Sequence, residues 1–421
     1  MKYLFSNIIL RSISILTTLL TVYVMARLVS PNDVGIFLRL GVLQAFLVTI
    51  LDIAVFPTLL STAVNGLLNI DVLRSLLKTL FKILIPLIIV ISAYWINIDG
   101  SSLLYILLMI IILALSICSV ILNAYLSANN RLANWSQIII ISECTSIYLI
   151  YNLSTHISDG VILFSMRFII VNCLMIGLST VLISFTSNLR NLIIRHKTHS
   201  RIGNDLFIFA ISNYFTRYFD TTIISFMFSG TALGIYNRAM QISRYPQISI
   251  VSALSQILLP FLQKYNVTKS QITLRVYYFH LYFMVCNVVS IILILNAEIY
   301  VRLILGPRWV DAALLLPFFF STLTMQTYLG ITNSLFVHFE ETKAYRNLGI
   351  LSSVSTTILI LYSIQFGDLT YIAIAFVFSI TISFFASFIY LMHKILKLTI
   401  LQTGLLILNA IIPLMYFGLV S

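Results

Sequence analysis

The chain has 421 residues, 60% of them hydrophobic and only 9% charged, with a mean hydropathy of +1.03. Soluble domains carry about 25% charged residues, so the composition excludes a soluble fold and predicts a polytopic membrane protein. The formal net charge of +12 suggests nucleic acid at first sight, but its distribution along the chain is that of a topology signal, which argues against such a partner.

Taken in chain order, apolar runs of span length predict membrane helices over roughly 4–29, 35–60, 73–97, 102–127, 133–154, 160–186, 204–229, 233–262, 272–296, 311–337, 346–366, 370–393 and 399–420. The breaks fall at SPND, NGLLN, NIDG, ANNR, HISDG, the basic stretch 188–203, SG, the stretch around KYNVTKS, GPRW, EETK, FGD and KILK. Each carries the Gly, Pro, Asn or charge that punctuates a chain. The run after Lys2 is too long for a cleavable signal peptide, has no small-residue cleavage site and leads straight into a second span. Cys118, Cys144, Cys173 and Cys286 all lie inside apolar runs without metal-ligand or redox spacing. They read as small core residues, with no metal implied.

The loops sort by charge. One set holds Lys2, Arg74, Lys78, Lys82, Arg131, Arg190, Arg195, Lys197, Arg201, Lys264, Lys269, Arg275, Lys343, Arg346, Lys394 and Lys397. The opposite set holds Arg27, Arg302 and Arg308. The positive-inside rule puts the N-terminus and the 188–203 loop in the cytoplasm.

Arg11, Arg39, Arg167, Arg217, Arg238 and Arg244 remain within spans. A charge at the bilayer centre costs on the order of 2.5–3.5 kcal/mol, so each invites an explanation. SNIILRSIS (6–14) matches SNYFTRYFD (212–220) in Ser, Asn and Arg, and GIFLR (35–39) matches GIYNR (234–238). The two pairs stand in the same order, which suggests a duplication. Six spans separate the copies, so they share one orientation, and the axis relating them runs along the membrane normal. Parallel repeats of this kind are an architecture of secondary transporters, with substrate bound where the halves meet.

Helical spacing gathers Asn7, Arg11, Ser14, Thr18 and Thr21 on one stripe of the first span. It places Asn213, Arg217 and Asp220 on a stripe of the seventh, and Arg238, Gln241, Tyr245, Ser249, Ser252 and Gln256 on the eighth. Three continuous polar faces predict a wet, cationic cavity between two lobes. Arg39 and Arg244 are further candidates for it, although Arg244 stands off its helix's polar stripe just before Pro246. The bland alternative is that Arg217 and Asp220 neutralise each other three residues apart. That leaves Arg11 and Arg238 without a nearby acid in sequence. Asp52 and Glu143, like Asp220, are candidates for coupling an ion to the cycle. Arg167 lies near enough to a span end to snorkel and reads as structural.

These residues carry a resemblance. ARLVSPNDVGIFLRLGVLQAFLVTILDIAVFPTLL resembles the first-to-second-span region of Wzx-type polysaccharide, or O-antigen, flippases, members of the multidrug/oligosaccharidyl-lipid/polysaccharide exporter superfamily. RYFDTTIISFMFSGTALGIYNRAMQISRYPQ resembles that family's seventh-to-eighth-span signature, with Asp220 at the family's Asp. LILGPRWVDAALLLPFF resembles its ninth-to-tenth-span loop, and ANNR and EETKAYRN sit where the family has short polar turns. The series covers nearly the whole chain in order.

The resemblance implies an all-α fold of two six-helix lobes, at 1–187 and 204–396. A cytoplasmic basic linker at 188–203 joins them, and an additional C-terminal helix at 397–421 departs from the twelve- and fourteen-span forms. It implies a multi-pass protein of the bacterial inner membrane that carries a polyprenyl-diphosphate-linked oligosaccharide such as an O-antigen repeat unit to the outer leaflet by alternating access. No organic cofactor is implied, only a coupling H⁺ or Na⁺. The implied partners are the lipid-linked glycan, membrane lipids, and a glycan polymerase and chain-length regulator of the same pathway. The mechanism is intelligible physically. Arginine grips a diphosphate bidentately, polar stripes bond sugar hydroxyls, and the lipid tail stays in hydrocarbon, with no catalytic residue required. Two alternatives stay open. A membrane-embedded glycan polymerase or ligase would carry a long outward loop with catalytic residues, whereas the longest here is about the size of 297–310, and no HExxH or nucleotide-binding Gly-rich loop is present. A drug or cation antiporter of the same superfamily would favour an acidic cavity.

Overall fold

The computed structural model describes residues 2–50, 103–128, 132–186, 200–264, 276–339, 341–391 and 400–420. The described residues are helical, with short turns between helices and no strand. The chain divides into two compact units. One holds Met1–Tyr214 and Ser229–Leu233, the other Phe215–Phe228 and Gly234–Ser421.

In the first unit lie α1 (Lys2–Leu28), α2 (Pro31–Ile50), α3 (Leu103–Ala128), α4 (Leu132–Leu153) and α5 (Gly160–Thr186). The SPND break is a helix N-cap. Ser30 Oγ donates to the Asp33 carboxylate at 2.7 Å and accepts from the Asp33 N–H at 3.2 Å, with Pro31 at the first helical position of α2. The HISDG break works similarly. Asp159 Oδ1 accepts from the N–H groups of Val161 and Ile162 to start α5, and Oδ2 accepts from the Tyr105 hydroxyl of α3 at 2.6 Å. A Cβ on Gly160 would sit 2.4 Å from Asp33 Oδ2, so the two caps pack closely because that residue has no side chain. α1 packs on α4, α4 and α3 on α5, and α2 on α3 and α5.

The division between units runs through α6 (Ser200–Met227), followed by α7 (Gly230–Lys264). The linker expected at 188–203 lies outside the described residues except at its last four positions, which open α6. Beyond α7 come α8 (Val276–Leu295), α9 (Ala297–Ile304), α10 (Ala312–Ser321), α11 (Leu323–His338), α12 (Thr342–Ser363), α13 (Leu369–Ile389) and α14 (Ile400–Val420). Their core is aromatic: Tyr236, Phe283, Trp309, Phe319, Phe320, Tyr328, Phe384 and Phe388 are all buried.

Both faces of many helices are apolar. α8 exposes Leu281, Met284, Val285, Val288, Ile292 and Leu295 while burying Phe283, Cys286, Leu293 and Ile294. A helix apolar all round is one surrounded by lipid or core. Among the described residues, four helical stretches are long and apolar enough to cross a membrane unaided: Leu103–Val120, Gly160–Leu182, Lys343–Phe366 and Leu369–Ile389. The protein is thus an all-α, multi-pass membrane protein. Where helices meet, hydroxyls replace bulk, as lipid-embedded packing favours. Ser383 donates to Ser352 at 2.7 Å, and Thr356 bonds Ser379, between α12 and α13.

Three expectations change. The segment 297–310, expected as an outward loop, is not a plain loop: α9 leaves α8 at a 73° bend and a 3₁₀ turn follows at Pro307–Trp309. Asn296 makes that corner by folding its amide onto the Ile292 carbonyl at 2.8 Å. The expected span 311–337 is bent by 46° between α10 and α11. Pro317 removes a backbone donor in the preceding turn, and the Thr322 hydroxyl takes up the Phe319 carbonyl at 2.8 Å. Cys118, Cys144 and Cys173 are exposed on helix surfaces rather than in the core, where Cys286 alone of the four is buried.

Candidate functional site

The second unit contains a polar cluster built on α6 and α7. Asp220 is buried, and its carboxylate is fully engaged. Oδ2 accepts from the Tyr236 hydroxyl at 2.7 Å, and Oδ1 accepts from the Thr221 N–H at 2.6 Å. The neutralising Arg217–Asp220 pair allowed by spacing is therefore not what this carboxylate does. Tyr236, one helix away, has taken its place. Arg217 is exposed, and its carbonyl accepts from Arg244 Nη2 at 2.9 Å. Arg244 also lies 5.6 Å from the Tyr218 ring.

On α7 the i, i+3, i+7 spacing brings three side chains into one chain of bonds. Arg238 Nη1 donates to Gln241 Oε1 at 2.6 Å, and Gln241 Nε2 donates to the Tyr245 hydroxyl at 3.2 Å. Arg238 is only 3% exposed and stands 5.7 Å from the ring centroid of the buried Trp309. A guanidinium over an aromatic face gains about 2 kcal/mol or more when desolvated. That attraction offsets part of the cost of its burial.

The first unit contains a second cluster. Arg167 Nη2 donates to both carboxylate oxygens of Glu143 at 2.9 Å each, and the Thr21 hydroxyl donates to Glu143 Oε2 at 2.9 Å. Side-chain exposure of the pair is 12% and 9%. The expectation that Arg167 snorkels to a span end is corrected here. An acid one helix away at matching depth gives it a partner inside the bundle, and the Phe168 ring lies 4.8 Å from its guanidinium. The expected α1 stripe is corrected at one point too. Thr21 turns into the same unit toward α4, because Glu143 offers its hydroxyl a charged acceptor. Ser14 on that stripe is buried.

Beside the ion pair lies a cavity of about 480 Å³ lined by residues of α2, α3, α4 and α5, among them Phe37, Trp135, Glu143, Arg167 and Asn172. Sequence reading missed Arg167, Trp135 and Asn172 as a group. Arg39 is half-buried on α2. Asp52 and the side chains of Asn7, Arg11, Asn213 and Gln256 lie outside the described residues.

The structure is similar to the lipid II flippase MurJ in an inward closed conformation, with a TM-score of 0.66 at 16% identity, covering 98% of this chain and 99% of that one. It is also similar to multidrug resistance MATE family transporters of the MOP superfamily. An outward-facing one matches with a TM-score of 0.61 at 14% identity over 94% of this chain and 97% of that chain. An inward-facing one matches with 0.59 at 14% identity over 89% and 93%. At such identities the likeness shows the fold, which is that of flippases and transporters rather than of catalytic enzymes. No curated protein matches at the level of sequence. Residues 24–314, more than half of the chain and including Glu143, Arg167, Asp220 and Arg238, match the family described as polysaccharide biosynthesis protein, and the chain belongs to that family.

Proposed function

We propose that the protein is a flippase that carries a polyprenyl-diphosphate-linked oligosaccharide, such as an O-antigen or similar surface-polysaccharide repeat unit, from the cytoplasmic to the outer leaflet of a bacterial inner membrane. Its N-terminus lies in the cytoplasm, and two six-helix lobes related along the membrane normal open alternately to either side. The observation that carries the reading is Arg238: a guanidinium 3% exposed in an aromatic, lipid-embedded unit, donating to Gln241 with the Trp309 ring 5.7 Å away. A buried positive charge of this kind favours an anion, and the diphosphate is the anionic part of a substrate made in polysaccharide biosynthesis.

Arg217 and Arg244 extend that positive potential within the second unit, Gln241 and Tyr245 supply hydrogen bonds, and Arg11 and Arg39 are the first unit's candidates for holding the diphosphate. The cycle is coupled to H⁺ or Na⁺, with Asp220 as first candidate and Asp52 and Glu143 as the others. A glycan polymerase and a chain-length regulator act downstream on the delivered glycan. The test is deletion of the gene followed by analysis of lipid-linked glycans. A repeat unit on its lipid carrier should accumulate at the cytoplasmic face, and an Arg238→Ala copy present at normal level should fail to clear it. Clearance by Arg238→Ala at the wild-type rate would overturn the reading.

A further inference from the structure

The cavity of the first unit remains unexplained by a diphosphate site. We propose that it is a sugar-binding subsite, taking a neutral pyranose of the glycan; the proposal rests on the flippase reading and names the part of the substrate this unit recognises. Its volume, about 480 Å³, falls in the range of roughly 300–1,000 Å³ typical of small-ligand pockets. A purely structural ion pair would need no such space. Glu143 and Arg167 already close on each other and on Thr21, and the cavity opens beside them.

Charge selects the ligand class. The lining holds one carboxylate and one guanidinium, so its formal charge is zero. An anion entering it meets Glu143, and a bare cation meets Arg167. A hydroxyl is repelled by neither. It can also use what both have left. Arg167 Nε is buried and makes no hydrogen bond. Glu143 accepts three bonds out of the roughly four lone-pair positions a carboxylate presents. A donor and an acceptor side by side suit a sugar hydroxyl, which accepts from one and donates to the other. Asn172 adds an amide held in place at both ends. Its Oδ1 accepts from Ser119 at 2.8 Å, and its Nδ2 donates to the Phe168 carbonyl at 2.9 Å.

The apolar part of the lining is aromatic. Phe37 and Phe168 stack at 5.2 Å with 15° between their planes, and Trp135 of α4 joins them in the wall. Flat rings receive the C–H face of a pyranose while a few convergent polar groups fix its hydroxyls, the division of labour usual in small-molecule sites. The neutral cavity of the first unit thus suits a part of the substrate that is chemically unlike its diphosphate.

The test uses the full chain in lipid nanodiscs, labelled with 5-fluorotryptophan and read by fluorine NMR. The chain has three tryptophans, and Trp135→Phe assigns the resonance of interest. The probes are neutral methyl glycosides of glucose, galactose, mannose, rhamnose and N-acetylglucosamine, with inorganic pyrophosphate and NaCl as separate arms. At least one glycoside should shift the Trp135 signal saturably. Asn172→Ala should weaken that response about tenfold, as loss of one good hydrogen bond does. Arg167→Lys, which keeps the charge but removes Nε, should weaken it as well. If no glycoside moves Trp135, or only pyrophosphate or Na⁺ does, the subsite is refuted. Transport of lipid-linked oligosaccharide by the same preparation separates the two claims. Transport with a silent Trp135 sinks the subsite alone, while a sugar-responsive Trp135 without transport sinks the flippase reading.

Discussion

Removing one partner of the Glu143–Arg167 pair should be far more damaging than removing both. The pair is 9% and 12% exposed, and Glu143 receives three hydrogen bonds at 2.9 Å from two other helices. Arg167→Met keeps most of the side chain's length and strands the carboxylate with Thr21 as its remaining partner. Breaking a buried pair in this way costs about 3–5 kcal/mol. Glu143→Gln strands the guanidinium and should cost a similar amount, slightly reduced because the amide oxygen still accepts a bond. The double variant leaves no unpaired charge, so its loss should fall well below the sum of the singles, with a coupling of at least about 2 kcal/mol. That is larger than neutral interhelical hydrogen bonds usually show in membranes, about 0.6 kcal/mol on average, because here both partners are ionised. Unfolding of the purified protein in mixed detergent micelles, followed by far-ultraviolet circular dichroism across the four variants, gives the cycle. Single variants that each cost less than about 1 kcal/mol and simply add would refute the account of Arg167 as a buried ion-pair partner.

Arg238→Lys should restore glycan export only partly relative to Arg238→Ala, because an ammonium lacks the planar fork that stacks on Trp309 and grips a diphosphate; a fully active lysine variant would reduce the residue to a point charge. Gly35→Ala should lower folded yield sharply, since its Cβ would lie 1.7 Å from the Gly230 carbonyl oxygen and the two backbones would have to part by more than about 1 Å to restore ordinary contact. Gly177→Ala, with nothing within 4 Å, should be silent in the same expression assay, and equal yields for the two would count against the close crossing. In a cysteine-free background, His156→Cys should react with an impermeant maleimide from outside and Lys343→Cys only after the membrane is opened; the reverse would invert the proposed orientation.

Much of the helical layout was legible because breaks and spans follow from composition. Gly160–Thr186 begins and ends where its apolar run does, and the polar punctuation at Ser30–Asp33 and Asp159 became caps. The bent segments were not legible, since α10 and α11 are apolar on both sides of the bend and hydropathy carries no direction. The α7 stripe of Arg238, Gln241 and Tyr245 could be read from spacing along one helix. The first unit's cluster needed spacing across two. Glu143 stands ten residues before the end of α4 and Arg167 seven after the start of α5, about 15 and 11 Å from a shared turn. That near-equal depth in a hairpin was the available signal for the pair. Repetition misled in one respect. GIFLR and GIYNR match as strings, yet Arg39 is half-buried while Arg238 is almost wholly so, since each arginine's surroundings come from residues outside the match.

α7 has the proportions of a lever. Its 35 residues make a rod about 52 Å long, against about 30 Å of hydrocarbon. One end is held: a Cβ at Gly230 would sit 2.8 Å from Asn32 Oδ1, and Ser229–Leu233 pack as part of the first unit although the rest of the rod belongs to the second. Pro246 lacks the N–H that would reach the Ile242 carbonyl, so bending concentrates there and makes it a fulcrum. Arg238, Gln241 and Tyr245 all ride on the held arm. A 10° flexure at Pro246 would move Lys264 at the far end of the rod by about 5 Å, given about 1.5 Å of rod per residue, and leave the bonds among those three side chains intact. A large stroke at one end of the helix is therefore compatible with an unchanged grip at the other.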